Sequence, residues 1–438
     1  MRWPRCANGA LSSDSGGGIA PSAGQPPATG TFAALHYPGY RRLLLGTTLA
    51  NAGQWLQQVT ISWLAYDITG SGATLGIVNL ARAAATVGFA PASGLAVDRV
   101  PPRRLIIIVN TWLALVSAAL GLVILLTGTE VAYLVAFAFL SGLGAAVDQP
   151  LRQAAVFMLV PRSVAPNAVA LMQTGWGVMR SVGPAIGGLL IWWAGPGGNF
   201  LLQAGLYLLI LANGLTIAFP VRPRSGMGAP FLDNLTGGVR YLRHDGRARA
   251  FLFMGWVLPL LIIPVFTALP PIYAKEVYHG GPLTLGLLLS SVGVGAIFGG
   301  FVAASLERVD RRGLVQLGAL FCLSLSLIAF AAVRTLALAM PLLALAGFFE
   351  LLYLTSNQTL LQMSIPDSVR GRVTSIVSLN AGLSPLGALY AGLASDFVGP
   401  AWTTIALCTV AAAISLLVFL FSTSVRDYRL SEVLREVA

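Results

Sequence analysis

The chain has 438 residues, of which 56% are hydrophobic and only 10% are charged, and its mean hydropathy is +0.78. Because soluble domains carry about 25% charged residues, this composition excludes a water-soluble protein and indicates that lipid is the main solvent. The net charge of +11 does not indicate nucleic-acid binding, since the basic residues fall in short gaps between apolar runs.

The first 35 residues differ in composition from the rest of the chain. They are rich in Gly, Ser, Pro and Ala and contain no long apolar run. Such a segment cannot bury enough surface to order, which predicts a disordered cytoplasmic tail over residues 1–35. The missing apolar run also argues against a cleaved signal peptide.

Apolar windows long enough to cross a membrane recur along the remainder. A transmembrane helix needs about 20 apolar residues. The predicted spans cover residues 43–66, 73–97, 104–127, 131–157, 168–194, 198–220, 250–274, 283–306, 313–333, 336–361, 373–395 and 400–422. The pattern predicts an all-α membrane protein of twelve transmembrane helices in two six-helix bundles.

A polar gap at residues 221–249 separates an N-terminal bundle, residues 36–220, from a C-terminal bundle, residues 250–422, which a cytoplasmic tail at 423–438 follows. Within the gap, the apolar residues Phe231, Leu235, Val239 and Leu242 recur at helical intervals. This spacing predicts an amphipathic helix on the inner membrane surface, with a solvated linker as the alternative.

The positions of the basic residues predict the orientation. All but four of the 27 Lys and Arg residues fall on the side of the predicted topology that also holds both termini. The exceptions are Lys275 and Arg334 in loops on the other side, and Arg82 and Arg180 within spans. Because cytoplasmic loops carry the positive excess, we expect both termini in the cytoplasm of a cell whose inner membrane holds the chain.

An internal repeat supports the two-bundle arrangement. The same spacing separates Gln153 from Gln358 and Pro161 from Pro366. Each segment is followed by a span that closes on a Gly-Pro pair, Gly195-Pro196 or Gly399-Pro400. A six-helix unit duplicated in parallel is typical of transporters with two halves.

A charged segment lies at the inner end of the second predicted span. Its key residues are Gly94, Asp98, Arg99, Arg103 and Arg104. The glycine permits close approach of a helix, the aspartate can bond to helix ends or an arginine, and the arginines bind anionic headgroups. The segment resembles the loop signature between the second and third helices of the major facilitator superfamily, although Pro101 stands where that signature usually has glycine.

That resemblance implies that the aspartate and the basic residues stabilise the outward-facing state by bridging the two halves. A simple positive-inside stop signal is the alternative interpretation of the same segment.

Four further motifs follow in order: 148–153, 167–171, 180–188 and 370–375. Together they resemble the transmembrane secretion effector branch of the superfamily, which includes the enterobactin exporter and macrolide efflux proteins, from about Tyr40 to Phe421. The resemblance implies an exporter of drugs, macrolides or siderophores, of the kind associated with multidrug resistance.

Within these motifs, Asp148 and Arg152 lie one helical turn apart and are predicted to form a gate or a structural ion pair. Arg370 and Arg372 are assigned to gating.

The fifth predicted span contains Gly183 and Pro184, followed by Gly187 and Gly188. This segment is similar to the kinked motif associated with proton-coupled antiporters in the superfamily, although Met179 stands where the fuller motif has glycine. Proline interrupts the hydrogen-bond ladder and glycines permit close helix contact, which predicts a bend that seals or hinges a pathway. A kink that serves packing alone is the alternative.

Polar groups inside the predicted spans indicate a cavity, because each charge at mid-depth costs several kcal/mol unless it is paired or faces water. On the tenth span Glu350 shares a face with two other polar residues, and the first span carries a similar polar stripe beside a tryptophan. The predicted cavity residues are Asn51, Gln54, Trp55, Gln58, Arg180, Glu350, Tyr353 and Asn357. Hydrogen bonding between helices, without substrate, is the alternative role for the amides.

Arg82 and Arg180 each require an acid or a cavity, because a buried arginine keeps its charge. We therefore hypothesise that Glu350 couples transport to protons. It takes up a proton in one state and releases it in another, depending on whether an arginine is close.

Other chemistries find no support in the chain. It contains no GxxxxGK[ST] phosphate loop, HExxH or GxSxG motif, so an enzyme or an ATP-driven pump is not expected, and no cofactor or metal is predicted. The glycines Gly293, Gly295 and Gly299 lie in an apolar span and are interpreted as helix-packing positions.

The sequence therefore predicts a monomeric secondary transporter of a small amphipathic compound that works by alternating access, and the family resemblance implies that it is an exporter. The proton gradient and membrane lipids are its other partners, and nucleic acid is not. An importer or uniporter of the same fold, or a receptor or assembly factor that transports nothing, are the alternatives.

Overall fold

The computed structural model describes residues 30–219, 240–306, 310–377, 380–426 and 428, which hold helices and turns but no β-strand. The helices are α1 Pro38–Thr69, α2 Gly72–Arg99, α3 Pro102–Thr127, α4 Val131–Leu159, α5 Ala165–Leu215, α6 Gly246–Val277, α7 Pro282–Ser305, α8 Arg312–Ala332, α9 Leu336–Met363, α10 Asp367–Val377 and α11 Asn380–Phe421. Short turns at Ala33–His36 and Thr423–Arg426 flank them.

The lengths of these helices give twelve membrane crossings. Nine of the described helices are long and apolar enough to span a bilayer. Helix α1, with 32 residues, is equally long but more polar, because Asn51, Gln54 and neighbouring amides interrupt its apolar surface. Helices α5 and α11 have 51 and 42 residues, about twice what one crossing requires, so each supplies two.

Each of the two double-length helices is broken at a Gly-Pro pair. Gly195 has φ 71° and ψ 171°, and Gly399 has φ 81° and ψ 162°. Only glycine adopts this conformation readily, and the proline that follows is suited to begin the next helix. The same break at matching positions confirms the predicted duplication.

Proline and glycine also set the ends of single helices. Pro38, Pro102 and Pro282 are each the first residue of a helix, where the missing N–H is not needed. Helix α1 ends at Thr69 and is capped by Gly70, which has φ 61° and donates its N–H to the carbonyl of Tyr66. The chain then turns directly into α2.

The two halves of the bundle contact each other through α2 and α11, and through α5 and α7. The contacts concentrate at the end of the bundle that holds the turn between α1 and α2, here called the α1–α2 end. A Cβ atom at Gly392 would lie 2.1 Å from the carbonyl oxygen of Gly72, and one at Gly188 would lie 2.4 Å from that of Pro282. Only glycine permits backbones to approach so closely.

The opposite end, which holds the connection between α2 and α3, is here called the α2–α3 end. Gly88 and Gly94 on α2, and Gly177 on α5, have no heavy atom within 4 Å of a Cβ position. Among the described residues, the halves therefore pack together at the α1–α2 end and stand apart at the α2–α3 end.

Part of the predicted organisation lies outside the described residues. The tail at 1–29 and most of the central gap, including Phe231, Leu235 and Val239, belong to this part. The amphipathic helix and the domain boundaries stay predictions.

We expect Gly195→Ala and Gly399→Ala each to reduce the free energy of unfolding by about 1–3 kcal/mol, because alanine is strained at these backbone angles. Steric overlap does not contribute to this loss, since no heavy atom lies within 4 Å of a Cβ at either position. Thermal unfolding in detergent measures the change. Gly205→Ala is the matched control, because Gly205 has equally open surroundings within regular helix, and it should be neutral or slightly stabilising. Equal effects at Gly195 and Gly205 would contradict the account.

We expect Gly392→Ala to shift the protein away from the closed α1–α2 end, since the new methyl group meets backbone that cannot yield. Overpacking of this kind costs about 1–3 kcal/mol. Electron–electron distance measurements between spin labels at the exposed Thr69 and Phe397 report the separation. Gly382→Ala on the same helix, where a Cβ has open space, should leave the distance distribution unchanged.

Candidate functional site

Two large cavities lined by charged and polar side chains lie among the described residues of the bundle. The first, here called the N-half cavity, has a volume of about 610 Å³ and lies among α1, α2, α4 and α5. Its polar lining includes Asn51, Gln54, Gln57, Arg82, Asp148 and Arg152. The second, here called the interface cavity, has about 450 Å³ and lies between the halves. Its lining includes Trp55, Gln58, Trp176, Arg180 and Glu350, together with apolar side chains such as Leu258, Phe266 and Leu289.

An ion pair joins the two halves in the interface cavity. Arg180 Nη2 on α5 lies 2.5 Å from Glu350 Oε2 on α9, and Glu350 is only 3% exposed. The guanidinium carbon of Arg180 also lies 5.5 Å from the ring centre of Trp176, within the range of a cation–π contact. Because the arginine stays charged, the carboxylate balances it across the boundary between the halves.

The polar stripe of α1 divides between the two cavities. Asn51 and Gln54 line the N-half cavity, whereas Trp55 and Gln58 line the interface cavity. Trp55 packs directly on α5, where a Cβ at Gly183 would lie 2.7 Å from the Trp55 Cβ. Gly183 therefore provides the space for this tryptophan.

Tyr353 and Asn357 differ from the expectation that they face the cavity with Glu350. The Tyr353 hydroxyl donates to the carbonyl of Met254 on α6, and Asn357 Oδ1 accepts from Gln316 Nε2 on α8 at 2.7 Å. Their face of α9 is covered by helices of the same half. The alternative interpretation, hydrogen bonding between helices, therefore describes their geometry.

Buried amides that the sequence reasoning missed join α1 to α4 and α5. Gln57 donates to Ser141 Oγ at 3.0 Å and accepts from Gln203 Nε2 at 2.9 Å. Asn199 donates to Thr60 Oγ1 at 2.6 Å. Gln203 and Asn199 are polar side chains in a predominantly apolar span, and that contrast was the available signal.

The predicted pair on α4 is formed. Arg152 Nε lies 2.7 Å from Asp148 Oδ2, and both side chains are largely buried at the N-half cavity. Asp148 Oδ1 and Arg152 Nη2 have no hydrogen-bond partner among the described residues. The pair therefore retains one free acceptor and one free donor.

The charged segment between α2 and α3 is exposed to solvent. Asp98, Arg99, Arg103 and Arg104 are all exposed, and none forms an ion pair with a described residue. Gly94 has open space, contrary to the expected helix approach. The halves stand apart at this end, so a bridge between them is out of reach. Arg372 on α10 is also exposed, and the side chain of Arg370 lies outside the described part.

Helix α5 keeps helical backbone angles through Pro184, and its one departure is at Gly195. The expected bend therefore does not take the form of a break in the helix. Next to the proline, Ala185 N–H donates to Ser290 Oγ on α7 at 2.9 Å. A serine of the other half thus binds the backbone beside the proline.

Polar contacts that the sequence reasoning missed hold the α1–α2 end together. The Asp396 carboxylate on α11 accepts from Ser71 Oγ at 2.7 Å, Gly72 N at 2.6 Å and Ala73 N at 3.0 Å. Lys275 Nζ lies 2.6 Å from Asp67 Oδ1. The Tyr66 hydroxyl donates to Glu276. All three contacts join one half to the other.

We expect Arg180→Gln and Glu350→Gln each to destabilise the protein by about 3–5 kcal/mol, because each leaves one buried charge unpaired. The double variant should recover most of this loss, since neither charge remains. Thermal unfolding of the four proteins measures the coupling. Lys275→Gln is the control, because its pair with Asp67 is well exposed and should contribute less than about 1 kcal/mol. Additive losses in the double variant would contradict a direct pairing.

Comparison with known proteins agrees with this architecture. Residues 29–432 match the transmembrane secretion effector family of the major facilitator superfamily. The chain is 26% identical over 380 residues to the multidrug efflux pump Tap of Mycolicibacterium fortuitum, covering 83% of this chain and 91% of that protein. It is 25% identical over 353 residues to the staphyloferrin A transporter of Staphylococcus aureus, covering 79% and 87%.

The fold resembles the crystal structure of a bacterial homologue of the human lysosomal transporter Spinster. The TM-score is 0.66 at 15% identity, over 91% of this chain and 98% of that one. The family match covers most of the sequence, and the twelve crossings and two halves agree with it. The chain therefore belongs to the transmembrane secretion effector family and is a multi-pass membrane transporter, not an enzyme.

Proposed function

We propose that this transporter is a proton-coupled exporter of a small amphipathic compound, with Glu350 as the proton-carrying residue. The observation that carries the proposal is the Arg180–Glu350 ion pair, which crosses the boundary between the halves inside the interface cavity. A charge pair in that position can respond to protons and to movement of the halves at once.

The distribution of basic residues supports an inner-membrane location with both termini in the cytoplasm. The α2–α3 end then faces the cytoplasm, and the α1–α2 end faces outward. The halves stand apart at the cytoplasmic end, so the substrate enters from inside. Closure at that end and opening at the other would release it outside, as alternating access requires.

The proton cycle follows from the pairing. With the halves closed outward, Arg180 pairs with Glu350, and the substrate binds. When the outward end opens, separation from Arg180 leaves Glu350 without its cation and open to external water, from which it takes up a proton. Return to the inward state brings Arg180 back and releases that proton to the cytoplasm.

The lining of the interface cavity supports a ring-bearing, partly apolar substrate. Trp55 and Trp176 provide flat aromatic surface, and Leu258 and Phe266 provide apolar walls. Compounds of this kind include drugs, macrolides and siderophores, and the named relatives comprise a multidrug efflux pump and a staphyloferrin A transporter. The transporter is proposed to act as a monomer surrounded by lipid.

The experiment is substrate-induced proton movement in everted membrane vesicles. The compounds tested are erythromycin, ethidium and a carboxylate-bearing siderophore, so that both signs of charge are represented. Addition of a transported compound to vesicles holding a pH gradient should dissipate the gradient in the wild type. Glu350→Gln should reduce this response at least about tenfold, because the proton site is lost. Exchange of labelled substrate across the membrane should persist, since exchange needs no proton step.

Glu130→Gln is the matched control, because Glu130 is an exposed acid that forms no ion pair with a described residue, and it should leave coupling nearly unchanged. If Glu350→Gln coupled protons at the wild-type rate, the assignment would be wrong. If no tested compound moved protons in either direction, the exporter proposal would fail in favour of a receptor. Accumulation from outside the cell would favour an importer.

A further inference from the structure

Arg82 is a cation at mid-depth that has no anion beside it in the part of the chain that the structure describes. It lies on α2 and lines the N-half cavity. Its one hydrogen bond among the described residues is from Nη1 to Gln58 Oε1 at 3.3 Å, and no described carboxylate lies within salt-bridge distance. An arginine cannot discharge itself, so a neutral amide is a weak partner for it in a low-dielectric interior.

The rest of the N-half cavity does not supply the missing charge. Its one acid, Asp148, is already paired with Arg152. The remaining polar lining consists of neutral groups, including Asn51 and Gln54. The cavity therefore carries one positive charge in excess, and Arg152 Nη2 remains as a second donor without a partner.

The N-half cavity adjoins the interface cavity, where the proposed function locates the apolar part of the substrate. Trp176 lines both cavities. Gln58 lines the interface cavity, and its Oε1 accepts the hydrogen bond from Arg82 Nη1. Arg82 and Trp176 both line the N-half cavity, so a single ligand there can face the ring and the guanidinium.

We propose that Arg82 binds a carboxylate group of the transported compound in the N-half cavity. The inference rests on the proposed function and specifies its substrate class as amphipathic monoanions. Planar guanidinium donors match the two oxygens of a carboxylate, and such charge-assisted bonds are strong where water is scarce. The volume of about 610 Å³ is sufficient for the anionic part of a drug-sized molecule.

The test compares two probes on the purified protein in lipid nanodiscs. Pyrenebutyrate carries a carboxylate, and its methyl ester has the same ring and chain without the charge. Energy transfer from tryptophan to pyrene reports binding, and only its saturable part is counted, because exposed tryptophans such as Trp192 and Trp402 also report probe that partitions into lipid. We expect the wild type to bind the carboxylate at least about tenfold more tightly than the ester.

Arg82→Gln should abolish the preference for the carboxylate and leave the affinity for the ester within about twofold of the wild-type value. Arg82→Lys should keep most of the preference, because the charge remains. Arg162→Gln, which removes an exposed arginine outside both cavities, is the matched control and should change neither affinity. Thermal unfolding of each variant shows that it is folded.

Several results would overturn the inference. Equal wild-type affinity for the two probes, or binding of neither, would exclude a carboxylate site. An equal loss of both affinities in folded Arg82→Gln would show that Arg82 acts through the structure. Displacement of pyrenebutyrate by millimolar chloride, lost in Arg82→Gln, would indicate an inorganic anion instead. None of these results affects the proton test on Glu350, so the exporter proposal can stand where this one fails.

Discussion

A guanidinium keeps its proton in any environment, and this constraint shapes the centre of the bundle. Arg180 stands at mid-depth on one half, so it requires an anion, and Glu350 on the other half supplies it at 2.5 Å. The two halves therefore share one neutral charge pair where neither half could bury its own member cheaply. Everything that moves one half against the other must either keep this pair or provide a substitute for one of its charges.

The packing around the pair differs between the two ends of the bundle, so the halves are held together at one end and free to approach each other at the other. At the α1–α2 end, glycine backbones contact each other directly and polar groups bridge the halves, whereas the glycines toward the α2–α3 end face open space. Contacts made through backbone atoms break and form as a unit, since they contain few flexible side chains. The central charge pair thus lies near the boundary between a closed region and an open one.

Much of the fold could be predicted from sequence because lipid imposes simple rules. Apolar length fixed the crossings, and the Gly-Pro pairs marked where α5 and α11 break. The interpretation of Gly295 and Gly299 as packing positions is confirmed, since Cβ atoms there would overlap the backbone of α9. Spacing of four residues was sufficient to predict the pair between Asp148 and Arg152.

The site was harder to predict, because periodicity identifies a face but not the helix that covers it. Tyr353 and Asn357 share the face of Glu350 in sequence, yet helices of their own half bind them. The stripe on α1 divides between two cavities for the same reason. The partners of Asp396 lie more than 300 positions away in the chain and carry no motif.

Asp396 has one more consequence. The amides of Gly72 and Ala73 belong to the first turn of α2, and Ser71, which precedes that turn, makes no side-chain cap of its own. The N-terminal cap of this helix is therefore supplied by the opposite half, and a lost cap costs about 0.5–2 kcal/mol. Opening the α1–α2 end would leave the start of α2 to fray or to find water, so local helix stability is part of the free-energy cost of that opening.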